Sequence, residues 1–474
     1  MARAPSGFLG KLAAQRPLLA TMVLALGLTA LCVVGLRQSA ASGNAGLVIS
    51  FISNALYVVG APLVLAAITP RRMLNKSLFL VLTLIVAIAL AAAAHQSLTL
   101  PFFHAPPPLV MTLSALGLFA FLTALAPFMR GVVRLGVLAP LAGILGAAGG
   151  AGYLALEGLL SLPTAAIAVA LALTVGGTTG LNVAADFAKY FAKGATGQEA
   201  AAAACHGAIA PTVFAIFAVA ALFVVETLNA NFGAIEWNVL WGGVSVSLLA
   251  AAAALVAVTA GLALERVSEQ VAVDENRRRE WFGRAWRPIR RILPATTALA
   301  ATAIAGVFVV IAAFEAGVNA PVNLILFFVI ISVAAALAFV SLRTSLLIVA
   351  MLLASAQLAD FVYAVFGAAT PALSERLAAM TLTAIALSQL TVSWRNAGEV
   401  WRNARDIAQN AMADGLHRFL AATGLGAASL IAVAQSFAWE GGFAAAAYFV
   451  ATGVISVILA PVMMIAMSAK TGGY

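Results

Sequence analysis

Charge is what this sequence has least of. Asp, Glu, Lys and Arg make up 9% of its 474 residues, against roughly 25% in soluble domains. A water-soluble body of this size is thereby excluded, and no stretch is long enough to form a separate soluble domain. Acidic residues are the scarcer sign, 17 against 26 basic ones, and the first carboxylate in the chain is Glu157. Cysteine is nearly absent: Cys32 and Cys205 both sit in or beside apolar segments, which excludes a disulfide framework and a thiolate metal site. The four histidines, His95, His104, His206 and His417, lie at the edges of apolar segments or in loops, so haem ligation in mid-span is not expected. HExxH, GxSxG, a phosphate-binding loop and any metal-ligand spacing are all missing. The gap at 37–45 also lacks the acidic residues of membrane glycosyltransferases that use polyprenyl phosphates. The expectation is a protein that is not an enzyme, with no catalytic residue, no metal and no cofactor.

What fills the sequence is apolar: 63% hydrophobic residues, in runs near the ~20 residues that cross a bilayer. About fourteen spans are predicted, at 17–36, 46–69, 77–95, 109–128, 135–156, 164–185, 204–225, 238–264, 294–314, 321–342, 344–366, 378–394, 417–436 and 442–468. The predicted fold class is all-α, a polytopic helical membrane protein. Lys and Arg fall in every second gap: Arg3/Lys11/Arg16, Arg71/Arg72/Lys76, Arg130/Arg134, Lys189/Lys193, the 265–293 loop, Arg343, Arg395/Arg402/Arg405 and Lys470. The other gaps hold little but Arg37, Glu157, Glu226, Glu236, Glu315, Glu375/Arg376 and Glu440. By the positive-inside bias both termini are expected in the cytoplasm, and the protein in an inner membrane of bacterial type. The run Pro17 to Leu36 is too long for a signal-peptide core, so it reads as a retained span. The net charge of +9 suits anionic headgroups and calls for no nucleic acid. Expected partners are membrane lipids, with partner subunits or a second copy of the chain left open.

The longest polar stretch runs from Glu265 to Arg291. Its Trp281, Phe282, Trp286 and Ile289 fall near helical spacing among seven arginines, which predicts a helix lying on the headgroups. His206 and His417 lie 211 residues apart in similar Ala-rich surroundings, and that offset lays six predicted spans on six others. The expected organisation is a two-span hairpin (1–76), a first six-helix repeat (77–264), the basic linker (265–293) and a second six-helix repeat (294–474). Six being even, both repeats point the same way across the membrane, as in transporters built from parallel repeats.

The stretch from Leu122 to Glu226 carries a short basic turn (Arg130 to Arg134), two spans, and a run Gly176-Gly177-Thr178-Thr179-Gly180 ahead of Asp186-Phe187. Gly194, Glu199-Ala200 and a small-residue span from His206 follow. The region Arg343 to Ser436 repeats the plan with Ser388-Gln389, Trp394-Arg395-Asn396 and Asp406 to His417. This pattern resembles the membrane core of the resistance-nodulation-division superfamily, especially its MMPL-type lipid exporters. The resemblance implies a transporter or flippase of a hydrophobic or lipid-like substrate, driven by protons through an acidic residue on the Gly-rich span. Where that family carries extracytoplasmic domains, the gaps here (96–107 and 315–320) are too short for any domain. The 211-residue offset places Ala397, which cannot titrate, opposite Asp186.

Ionisable groups inside a membrane are the default functional candidates. Asp360 is the clearest, with Gln357 and Tyr363 three residues to either side and so on one helical face. It reads either as a protonatable or cation-binding carboxylate or as a local hydrogen-bonding group that fixes helix packing. Its repeat mate, Gly149, lies in a small-residue run fit for close helix approach. Thr178, Asn182 and Asp186 form a polar stripe at one-turn intervals that either faces a cleft or emerges into water, and Ser388 with Gln389 continues the idea in the second half. His206 and His417, each at the start of a span, are candidate pH sensors or interfacial anchors. Trp394 and Trp401 with Ala397 and Ala404 read as the apolar, structural face of a connector. Two readings remain: a transporter or flippase, and a non-transporting scaffold subunit of a larger envelope or export complex.

Overall fold

A computed structural model describes residues 8–41, 45–68, 138–160, 163–230, 236–264, 322–365, 370–401 and 403–468, with isolated residues between 112 and 118 and between 280 and 288. Among the described residues every regular element is helical. The helices are α1 (Phe8–Gln15), α2 (Pro17–Ala41), α3 (Ala45–Ala55), α4 (Ala61–Ile68), α5 (Leu138–Leu156), α6 (Pro163–Ala192) and α7 (Gly197–Ala230). They continue as α8 (Trp237–Leu264), α9 (Val322–Phe339), α10 (Leu342–Val365), α11 (Leu373–Val400), α12 (Ala404–Ser436) and α13 (Gly441–Ser468), and a π-turn (Leu56–Gly60) joins α3 to α4. Helices are what this composition must form, because only they satisfy the backbone within one segment when water is absent.

Nine of the described helices are long and apolar enough to cross a membrane: α2, α5, α6, α7, α8, α10, α11, α12 and α13. The chain is an integral membrane protein on that basis. Shorter apolar helices cover Gly46–Gly60 and Leu324–Phe339, within the expected spans 46–69 and 321–342. The expected spans 77–95 and 294–314, and most of 109–128, lie outside the described residues, as do Arg130 and Arg134.

The chain divides into two compact units. Unit 1 is Met1–Thr212, Trp237–Asn276 and Gly424–Ala447; unit 2 is Val213–Glu236, Arg277–Thr423 and Tyr448–Tyr474. These bounds follow neither six-helix half.

In unit 1, α5, α6 and α8 pack on one another, and α2 packs on α5. Small residues set how closely they approach. A Cβ added at Gly35 on α2 would fall 2.3 Å from the Cα of Gly152 on α5. One added at Gly146 would fall 2.5 Å from the Cα of Ala250 on α8, and one at Gly150 2.3 Å from Val246. The small-residue run on α5 therefore does accept close neighbours, on two faces, with Gly149 against Leu28 of α2. Backbones brought this near gain van der Waals contact that lipid cannot replace. The α6–α7 link is locally encoded: Gly194 takes the left-handed conformation (φ +88°) at the end of α6. Thr196 and Glu199 then form a capping box, the Thr196 hydroxyl donating to Glu199 at 2.9 Å and the Glu199 N–H to Thr196 Oγ1 at 3.4 Å.

In unit 2, α9 packs on α10 and α10 on α11. The α9–α10 turn places Val340 at φ +49°, a strained conformation for a β-branched residue. Arg395 of α11 donates to the carbonyl of Phe339, the last residue of α9, which satisfies one orphan acceptor of a helix C-terminus. The connector expected after 378–394 is not a separate element. α11 runs on to Val400 and α12 starts at Ala404. In the basic linker, Phe282 and Trp286 stack at 5.9 Å and Arg284 pairs with Glu280 at 3.9 Å. Trp286 is only 4% exposed, so its indole packs on protein rather than on headgroups, a correction to the expected interfacial face at that residue.

Candidate functional site

Asp360 lies five residues before the end of α10, and Arg376 three residues after the start of α11. A short link joins the two helices, so an antiparallel hairpin brings both to one end of unit 2. Arg376 Nη2 donates to Asp360 Oδ2 in a salt bridge. From α13, the Tyr448 hydroxyl donates to Asp360 Oδ1 at 2.9 Å and approaches the Ala356 carbonyl at 3.2 Å. The guanidinium of Arg376 also lies over the Tyr448 ring, 5.8 Å from its centroid, within cation–π range. Tyr363 packs on the same ring at 5.8 Å and 58°. One carboxylate thus ties α10, α11 and α13 together. The Asp360 and Arg376 side chains are 22% and 24% exposed, so the pair is largely but not wholly withdrawn from solvent.

Two further carboxylates sit near. Glu226, on the part of α7 that belongs to unit 2, lies within electrostatic range of Glu375 of α11. Its Oε1 is buried without a hydrogen-bond partner among the described residues, and so is Nε of Arg376. Ser374 donates to Glu375 at 3.1 Å. This end of unit 2 therefore gathers Glu226, Asp360, Glu375, Arg376 and Tyr448.

The sequence singled out Asp360 and Tyr363, and both are in the cluster. Gln357, half-buried one turn earlier, stands outside its hydrogen bonds. Arg376 and Tyr448 were not foreseen as partners. Arg376 was legible in principle, because a hairpin with a short link must bring 360 and 376 to one membrane surface. Tyr448 carries no comparable signal, being 88 residues away.

The other candidates are scattered. Thr178 is buried and spends its hydroxyl on the Thr174 carbonyl of its own helix at 2.8 Å. Asn182 is buried at 3% exposure. Asp186 is half-buried and packs against Gly207 of α7, where an added Cβ would meet Oδ2 at 2.9 Å. Ser388 donates to the Ile385 carbonyl at 2.6 Å, and Gln389 Nε2 donates to Ser388 at 3.2 Å. His206 is exposed, whereas His417 is buried; both lie inside long helices rather than at their starts. Among the described residues no group of three His, Cys, Asp or Glu side chains could hold a metal. Trp394 is buried and donates its indole N–H to Ser468 at 2.9 Å, consistent with a structural role.

No family model matches the chain, and no curated protein matches it.

Proposed function

We propose that this membrane protein is a transporter or flippase of a hydrophobic or lipid-like substrate, built on a membrane core like that of the resistance-nodulation-division superfamily. Asp360 is its ion-coupling carboxylate. The observation that carries the reading is the Asp360–Arg376–Tyr448 cluster, because ionisable groups within apolar helices are costly and concentrate where ions or substrates pass. The cluster also has the form of a two-state element. With Asp360 ionised, the salt bridge and the tyrosine hydroxyl hold three helices together. With Asp360 protonated, the attraction to Arg376 falls away and the helices can part. In this reading the Arg343/Arg395 end of unit 2 faces the cytoplasm and the cluster lies in the outer half of an inner membrane.

Flux of a fluorescent lipid in proteoliposomes under an imposed proton gradient tests this. Asp360→Asn is expected to abolish gradient-dependent flux, and Asp186→Asn to leave most of it. Full gradient-driven flux in Asp360→Asn would end the coupling role.

A scaffold subunit is the second reading. It is favoured by the way Thr178 and Ser388 spend their hydroxyl protons on their own helices, which leaves no hydroxyl proton to donate to a passing solute. A partner recovered in fixed stoichiometry from native membranes, with no flux from the purified chain, would select it.

A further inference from the structure

At the end of unit 2 opposite the Asp360 cluster, a recess of about 290 Å³ opens among the first turn of α10, the last turns of α11 and α13, and the start of α12. It has room for on the order of ten waters at ~30 Å³ each. Its walls carry two guanidinium groups, Arg343 and Arg395, and two indoles, Trp394 and Trp401. Glu399 is the one carboxylate among the lining residues, so the recess is net positive.

The basic groups are placed rather than floating. Arg395 donates through Nη1 to the Phe339 carbonyl, and its Nε lies 3.8 Å from Glu399. A guanidinium has five N–H donors in a fixed fork, so these contacts leave donors for a further acceptor. Arg343 stands exposed on the facing wall. The Trp394 indole is fixed by its hydrogen bond to Ser468. Ile407 and Met467 add apolar surface, and Ser341, Thr344 and Ser468 add hydroxyls.

Depth argues for a lipid over a free anion. Arg376 and Arg395 are nineteen residues apart on α11, about 28 Å at ~1.5 Å per residue. That nearly equals the ~30 Å hydrocarbon thickness, so the recess lies at headgroup level when the Asp360 cluster lies near the opposite surface. Indoles beside arginines at that level are what a phosphodiester with attached apolar chains meets. We propose that this recess binds an anionic phospholipid, with Arg343 and Arg395 on the phosphate and Trp394 and Trp401 flanking the glycerol and upper chains. The assignment holds for a transporter and a scaffold alike.

The test is equilibrium binding with no gradient, so its failure is separable from failure of the transport reading. The full chain is delipidated and placed in nanodiscs of phosphatidylcholine with increasing phosphatidylglycerol. Retained lipid is counted by native mass spectrometry, and Trp fluorescence follows occupancy. The wild type should retain phosphatidylglycerol saturably, Arg343→Gln should weaken retention by about tenfold, and Arg343→Gln/Arg395→Gln should abolish it. Glu399→Gln should strengthen it. Arg343 is exposed, so its replacement tests the site even if removing Arg395 frees the end of α9 and unfolds the chain. Equal retention by the wild type and Arg343→Gln overturns the proposal. Full displacement of the lipid by millimolar inorganic phosphate also overturns it, because the site would then read a free anion.

Discussion

Tyr448 donates its hydroxyl to Asp360 at 2.9 Å across 88 residues of sequence, while the Arg376 guanidinium lies over the same tyrosine ring. The tyrosine thus meets both members of the salt bridge, Asp360 through its hydroxyl and Arg376 through its ring, and the three side chains act as one unit. Removing either charge strands its partner in a site three-quarters withdrawn from solvent. Asp360→Asn and Arg376→Gln should each cost roughly 1–3 kcal/mol, below the fully buried case because the pair is partly exposed. Tyr448→Phe should cost about 1 kcal/mol for one hydrogen bond. The double variant Asp360→Asn/Arg376→Gln should be less destabilised than the sum of the singles. Thermal unfolding in nanodiscs reads all four, and additive losses would show that the pair is not coupled.

The Gly35–Gly152 crossing gives a prediction with an internal control. Gly35→Val puts a side chain where a Cβ alone would lie 2.3 Å from the Gly152 backbone. The helices must separate, at a cost of about 1–3 kcal/mol. Gly27 is on the same helix with nothing within 4 Å of its would-be Cβ, so Gly27→Val should change stability by less than about 0.5 kcal/mol. Equal melting temperatures for the two variants would refute the close approach of α2 to α5.

Val340 holds φ at +49° and is 86% exposed. It therefore bears left-handed strain of roughly 1–2 kcal/mol with little packing to compensate. Val340→Gly should stabilise the fold by about 1 kcal/mol once the larger entropy of glycine in the unfolded chain is counted, and so raise the unfolding midpoint. A lower midpoint would mean that the valine side chain contributes more than its backbone costs.

The membrane-helical fold was legible because the hydrocarbon core leaves no alternative and because ~20-residue periods are easy to count. Element ends were less legible. Nothing in the residues 395–417 announces that α11 runs on to Val400 and that α12 is continuous from Ala404, since amphipathic connectors and helix extensions share one periodicity. The site was half legible. A lone carboxylate at Asp360 stands out wherever charge is scarce, and the hairpin implies Arg376. Tyr448 needed the packing of α13 on α10, which no local pattern encodes. Trp394 and Arg395 were visible as a connector motif. Their recess depends on where α10 begins and where α11 and α13 end.

Interhelical hydroxyl pairs separate structural polarity from a substrate path. Thr383 and Thr452 meet at 2.7 Å between α11 and α13, each also bonded to its own helix backbone. Among the described residues Thr178 has its own-helix bonds alone. In a membrane such a cross-helix bond contributes about 0.6 kcal/mol. A cycle of Thr383→Val, Thr452→Val and the double variant should give a coupling of that size, with unchanged flux. Thr178→Val should be near neutral for stability, because its hydroxyl joins no other helix among the described residues. If its flux also equals that of the wild type, the Thr178 face takes no part in moving a solute. A fall in flux at constant unfolding temperature would instead place Thr178 on the substrate path and favour the transporter over the scaffold.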